Sequence, residues 1–122
     1  MGGGADRLPG MVGCLFCKIV SGEIPSRKVH EDDRIVAFED IAPKAPTHVL
    51  IIPRKHISKL DEASAEDAAV LGDVTLRAAA IAREHGLEDY RVVVNNGAGA
   101  GQSVFHLHFH LLGGRDFSWP PG

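Results

Sequence analysis

The sequence predicts an α+β fold: an antiparallel sheet of five strands, one main helix packed on it and a short helix ahead of both. Three observations carry that expectation. Residues 105–112 alternate apolar and polar side chains without a break, which is the period of a half-buried strand. Residues 64–85 instead place apolar side chains at helical spacing. Several other short runs of β-forming residues lie between Gly, Pro and Asp punctuation. A chain of 122 residues is long enough for one core and too short for two.

The elements follow in order. Residues 16–21 suit a short helix, stopped by Gly22 and Pro25. Residues 28–30 and 35–39 read as two strands joined by the polar turn Glu31-Asp32-Asp33-Arg34. Residues 48–52 are nearly all apolar, as expected of a central strand covered on both faces. Ser64 to Asp67 resembles a capping box opening the main helix. Leu71, Val74, Ala78, Ile81 and Ala82 share one face of that helix, and Gly86 suits the position just past its end. Residues 91–95 and 105–112 complete the five strands.

Composition narrows the function classes. Hydrophobic residues make up 44% and charged residues 24%, ordinary for a soluble globular protein. A formal charge of −3 gives no basic footprint for nucleic acid. No apolar run approaches the ~20 residues of a membrane span. Residues 1–13 are Gly-rich without the apolar stretch of a secretory signal, and Asp6 stands where myristoylation wants Ser or Thr. The expectation is a disordered tail over 1–13, a single domain over 14–122 and a cytoplasmic setting.

The chemistry centres on His106, His108 and His110. Residues i, i+2 and i+4 of a strand share one face, so the three imidazoles line up while Phe105, Leu107, Phe109 and Leu111 take the other. Histidine is the side chain that titrates near neutral pH. A merely polar strand face does not explain three of them. Two readings remain on spacing alone: a three-histidine metal site, or a histidine nucleophile with histidine helpers, suited to phosphoryl or nucleotidyl transfer.

The residues upstream favour phosphate chemistry. Asn95-Asn96-Gly97-Ala98-Gly99-Ala100-Gly101-Gln102-Ser103 is Gly-rich, and glycines let backbone N–H groups turn toward an anion. Asn95, Gln102 and Ser103 add side-chain donors. Alone, such a loop is equally an ordinary flexible connection. Placed before three aligned histidines, it offers a phosphate seat.

His106-x-His108-x-His110 followed by Leu111-Leu112 matches the histidine-triad pattern. Gly101-Gln102-Ser103-Val104, Gly113-Gly114-Arg115, Trp119-Pro120-Pro121-Gly122, Phe38-Glu39-Asp40-Ile41-Ala42-Pro43 and Pro46-Thr47-His48-Val49-Leu50-Ile51-Ile52-Pro53 resemble the Hint branch of that family. The resemblance runs from about Cys14 to Gly122. It implies the same α+β fold, as a homodimer whose two sheets join. It also implies a purine nucleotide ligand. His108 becomes the nucleophile, with His110 and His48 as helpers. Asp40 becomes the acceptor for ribose hydroxyls. Phe16, Ile19, Ile24, Phe38 and Ile41 surround the base, although simple core packing explains Ile19 and Ile24 equally well. Asn95, Gly101, Gln102, Ser103 and Val104 flank the phosphate, and Trp119 reaches the partner subunit's site. His30 and His85 gain no role and read as solvent-exposed.

Cys14 and Cys17 form a C-x-x-C unit, which is half of a zinc site or simply two reduced thiols. Some histidine-triad relatives pair such cysteines with two histidines, which here are His56 and His106. Many close Hint relatives lack the cysteines. If a structural zinc is held, His106 is structural and the chemistry falls to His108 and His110. The resemblance then implies a hydrolase for the P–N bond of purine nucleoside 5′-phosphoramidates, working through a nucleotidyl-histidine intermediate and needing no catalytic metal. Ser103 or the histidine network passes a proton to the leaving amine. Two alternatives stand beside it: a dinucleoside polyphosphate hydrolase, against which the Trp119-Pro120-Pro121-Gly122 ending argues, and a nucleotide-binding regulatory module with incidental turnover.

Overall fold

The computed structural model describes residues 13–122; the segment expected to be a disordered tail lies, up to residue 12, outside the described residues. Helix α1 (Leu15–Ser21) opens on Cys14, whose Sγ accepts the Cys17 N–H at 3.2 Å, and closes at Gly22 with φ of 85°. A strand of the sheet follows at β1 (Lys28–Glu31), then β2 (Ile35–Glu39) and β3 (Thr47–Pro53). Between β1 and β2 the Asp32 carboxylate accepts the N–H groups of Arg34 and Ile35, both at 2.8 Å, which folds the polar turn. Helix α2 (Ala68–Glu84) is preceded by one tight turn, Ala65–Asp67, at whose start the Ser64 N–H donates to Asp67 Oδ2 at 3.0 Å. Strands β4 (Tyr90–Val94) and β5 (Phe109–Gly113) complete the sheet.

All pairings are antiparallel and the spatial order is β1-β2-β3-β5-β4, so β3 is central as its composition predicts. Its two faces feed two cores. Val49 and Ile51 point with Ile35, Ala37, Phe109 and Leu111 onto Val74, Ala78, Ile81 and Ala82 of α2. Leu50 and Ile52 point with Val36 and Phe38 onto Phe16 and Ile19 of α1. A strand buried on both sides has no solvent face to keep polar, hence its continuous apolar run.

The last strand departs from expectation. It starts at Phe109 and not at residue 105, because its ladder with β3 ends at the Ile51–Phe109 pair. Two positions further along β3, where the register would bring Leu107, stands Pro53, which has no N–H to donate. The Leu107 N–H bonds to the Ile57 carbonyl instead, at 2.6 Å, and the His106 ring takes the Pro53 carbonyl at 2.8 Å. Leu107 still reaches the α2 core, but Phe105 is 43% exposed and is not a core residue. Strand β4 begins and ends one residue before the expected 91–95. His30, expected in solvent, is half-buried and lies 2.7 Å from Asp32, whose carboxyl is drawn down to about 2, chiefly by that contact. No helix among the described residues is long and apolar enough to cross a membrane.

Candidate active site

The histidines gather on the α1 side of the sheet. His110 pairs with Leu50 across β3–β5 and shares that strand face with His48. Phe16 of α1 meets the His108 ring edge-on at 5.1 Å between centroids and the His106 ring at 6.2 Å. The His108 and His110 rings lie 5.0 Å apart. Thus the row expected from period-2 spacing is present, although only His110 sits within the ladder.

Hydrogen-bond partners assign each tautomer. The His106 carbonyl, which can only accept, lies 2.8 Å from His108 Nδ1; that nitrogen carries the hydrogen and leaves Nε2 with a free lone pair. The Lys44 backbone N–H donates to His48 Nδ1 at 3.0 Å, so the His48 hydrogen sits on Nε2. His48 Nε2 then donates to His110 Nδ1 at 2.9 Å. The His110 hydrogen is left on Nε2, which is buried and has no partner among the described residues. A buried donor without an acceptor is costly. An acceptor atom on a bound ligand would satisfy it.

Burial keeps these rings neutral. It pushes His110 down to about 4, helped by His108 and His48. Burial likewise lowers His108 and His48, with Asp40 opposing in both cases. Asp40 Oδ2 lies 3.5 Å from His48 Nε2, while Oδ1 accepts the Ala42 N–H at 2.8 Å. Asp40, His48 and His110 bring three ligand-type atoms within 4.8 Å, the separation of a metal site. Their tautomers favour a proton relay there, since the His48 atom involved already carries a hydrogen.

A second cluster has the opposite character. The His106 Nε2–H is spent on Pro53, so Nδ1 offers its lone pair, 3.5 Å from Cys14 Sγ and 3.4 Å from Cys17 Sγ. His56 Nδ1 lies 3.2 Å from Cys17 Sγ. Ligands of a tetrahedral zinc, at ~2.3 Å for sulfur and ~2.0 Å for nitrogen, are about 3.5 Å from one another. Cys14, Cys17, His56 and His106 therefore converge with the donor set and spacing of a Cys₂His₂ site. Burial and the neighbouring Cys14 push the Cys17 thiol up to about 12, and burial lowers His106 to about 4. A bound cation would reverse the first of these.

The other expected ligand residues divide. Phe16, Ile19 and Phe38 are buried in the α1 core, with Ile24 and Val104 half-buried against it. Ile41 and Trp119 are exposed. In the Gly-rich loop, Gly101 has φ of 95°, a conformation that favours glycine. Ser103 is exposed and Asn95 half-buried. Gln102 was expected to face ligand, yet its side chain is spent on backbone. It accepts the Gly97 N–H at 2.8 Å and donates to Ser58 O at 2.8 Å and Val104 O at 3.1 Å. Sequence reasoning missed Lys44, whose backbone N–H sets the relay. Only the Pro43-x-x-Pro46 frame hinted at a rigid loop there.

The HIT domain family matches residues 21–117. The chain belongs to the histidine triad (HIT) family. An uncharacterized HIT-like protein of Synechocystis is 53% identical over 109 residues, 88% of this chain and 96% of the relative. A 14 kDa zinc-binding protein of Zea mays is 49% identical, covering 88% and 87%. Among solved structures, a HIT family hydrolase from Legionella pneumophila superposes with a TM-score of 0.87 at 51% identity, covering 89% of this chain and 99% of that one. A HIT family hydrolase from Clostridium thermocellum gives 0.85 at 46%, covering 88% and 95%. This HIT protein is thus of hydrolase type, with a fold as expected from its sequence.

Proposed function

We propose that this HIT protein hydrolyses the P–N bond of purine nucleoside 5′-phosphoramidates, AMP or GMP carrying an amine. The observation that carries the reading is the pairing of two tautomers: His108 Nε2 holds a lone pair, and the adjacent His110 Nε2 holds a hydrogen with no acceptor among the described residues. One is a nucleophile and the other is a donor for a phosphoryl oxygen.

In the first step the His108 Nε2 lone pair forms a bond to the α-phosphorus. The P–N bond to the amine breaks, and the amine keeps the electron pair and gains a proton. That proton comes from water and is passed on through Ser103 or the histidine network. Throughout, His108 Nδ1 keeps its hydrogen on the His106 carbonyl, which supports the positive ring of the nucleotidyl-histidine. Water then attacks phosphorus and loses a proton back along the same route, the P–Nε2 bond breaks, and the nucleoside monophosphate leaves with His108 restored. His110 Nε2–H and the N–H groups near Gly101 and Ser103 stabilise phosphoryl charge. Asp40 holds the ribose, and Phe16, Ile19, Ile24, Phe38 and Ile41 surround the base.

Cys14, Cys17, His56 and His106 would hold a structural zinc. Bound there, it would tie α1 to the segment carrying His108 and would take no part in bond breaking. A homodimer joined through the sheet fits β4, an edge strand that leaves Tyr90 40% and Val92 38% exposed.

The test is AMP release from adenosine 5′-phosphoramidate, with a chelator present, by wild type and by His108→Ala. Turnover by wild type alone is expected. Absence of turnover by both, with cleavage of a dinucleoside polyphosphate by wild type, would replace this reading by the polyphosphate one.

A further inference from the structure

The Gly113-Gly114-Arg115 segment that leaves β5 touches no reacting atom, yet it is built against the relay. Arg115 Nε donates to the Lys44 carbonyl at 2.9 Å, and Lys44 is the residue whose N–H donates to His48 Nδ1. One step earlier, Gly114 has φ of 91°, and a Cβ placed on it would lie 2.9 Å from Pro46 Cβ. The turn after β5 thus presses on the Pro43–Pro46 loop at two points.

The guanidinium is itself held. It lies 4.2 Å from the centroid of the Phe117 ring, and Arg115 Nη1 donates to the Asp116 carbonyl at 3.0 Å. Arg91 of β4 approaches the same ring at 5.0 Å and donates to the Ser118 carbonyl at 2.8 Å. Stacking on an aromatic face suits a planar guanidinium and not an ammonium. A flexible surface arginine has no need of such support.

We propose that Arg115 is a positioning residue: by fixing Lys44 it keeps the Lys44 N–H on His48 Nδ1 and so sets the direction in which the His48–His110 relay passes hydrogen. The reasoning is geometric. A neutral imidazole has one hydrogen. An N–H aimed at Nδ1 forces that hydrogen onto Nε2, toward His110. If Lys44 drifts, Nδ1 gains the freedom to carry the hydrogen, His48 Nε2 becomes an acceptor, and His110 must turn its own hydrogen inward. The Nε2–H that faces the phosphoryl oxygen is then lost. This role rests on the hydrolase reading for its kinetic consequence but not for its structural one.

The experiment measures side-chain ¹⁵N NMR of the histidines and steady-state kinetics on adenosine 5′-phosphoramidate. Wild type, Arg115→Met and Arg115→Lys are compared. Met keeps the length and removes the donor, while Lys restores one. Arg115→Met should show a mixed His48 tautomer and a kcat lower by about tenfold or more, a part of the ~10²–10⁴ that a positioned proton-transfer group contributes in full. KM should stay within about twofold, because nothing that touches the nucleotide has changed. Arg115→Lys should recover part of both. If Arg115→Met does not fold, Gly114→Ala displaces the same loop from Pro46 and carries the same expectation.

An unchanged His48 tautomer in folded Arg115→Met overturns the proposal, as does an unchanged kcat where wild type is active. The tautomer needs no turnover to be read. If wild type releases no AMP and Arg115→Met still shifts the His48 tautomer, the phosphoramidate reading falls and the positioning role stands.

Discussion

His48 Nε2 lies 2.9 Å from His110 Nδ1, and the hydrogen between them belongs to His48. The two residues are diagonal neighbours across the β3–β5 ladder, since His110 faces Leu50 and His48 faces Leu112. Diagonal partners are within reach of long or aromatic side chains. The relay is therefore a product of sheet register: a slip of one residue would send His110 into the α2 core.

Replacing His48 by Ala removes the donor to His110 Nδ1. A buried acceptor left unpaired costs about 1–3 kcal/mol, and this is the expected loss in urea unfolding. We expect kcat to fall by roughly 10–100-fold while KM changes little, since His48 orients a helper and does not hold the nucleotide. Nucleotide binding that weakens as strongly as kcat would show that His48 contacts ligand directly.

Much of this was legible in the sequence, and the exceptions have physical reasons. The row of histidines follows from period-2 spacing, and the α2 core face follows from helical spacing at Val74, Ala78, Ile81 and Ala82. The length of β5 did not follow, because it depends on Pro53, a residue on another strand that has no N–H to offer. Gln102 looked like a ligand donor for the same kind of reason. Its partners Gly97, Ser58 and Val104 are backbone atoms brought together only by folding. Lys44 acts through its main chain, and no side-chain pattern reports that. The Cys₂His₂ cluster joins positions 14 and 106, and only resemblance connected them beforehand.

The pH dependence follows from burial. His110 has its folded value near 4, below its ordinary 6.5, so between these limits the unfolded chain binds the proton first. Stability from keeping this ring neutral is fully present above pH 6.5 and is lost as pH falls toward about 4. At about 1.4 kcal/mol per unit the loss is bounded at about 3.5 kcal/mol, and solvent screening at this part-exposed ring brings it below that bound. Melting temperature should fall across this window, and less so in His110→Gln. Because burial also lowers His48 and His108, the acid limb of kcat/KM should lie below pH 6.5 and belong to the relay as a whole. An acid limb above 6.5 would contradict neutral, buried rings.

Gln102 holds the Gly-rich loop against the segment after β3. It is 3% exposed and makes three backbone hydrogen bonds. Gln102→Ala leaves a buried N–H and two carbonyls to find water, and at about 1–3 kcal/mol per unsatisfied group partial rescue still leaves a loss of about 2 kcal/mol or more. The Gly97–Gly101 backbone should then exchange its amide hydrogens faster than in wild type, with kcat/KM reduced. Unchanged exchange in this loop would mean that its glycines, and not Gln102, define its shape.

The Cys₂His₂ cluster predicts a stability effect that is separate from chemistry. Zinc held by Cys14, Cys17, His56 and His106 would bridge α1, the segment after β3 and the start of the histidine row. A ligand held only by the folded state stabilises that state by mass action. Purified wild type should carry about one zinc per chain, the occupancy of a single tetrahedral site. Chelation should lower its melting temperature by several degrees, as expected of about 2 kcal/mol or more in a domain of this size. Cys17→Ser should lose the metal and melt at the chelated value. Turnover should persist in both at a reduced rate, because His108 still donates to the His106 carbonyl and the His106 ring still bonds to Pro53, but the metal no longer fixes its other nitrogen. Metal-free wild type with a melting temperature indifferent to chelator would assign Cys14 and Cys17 to the α1 core as two reduced thiols, with His106 held for packing.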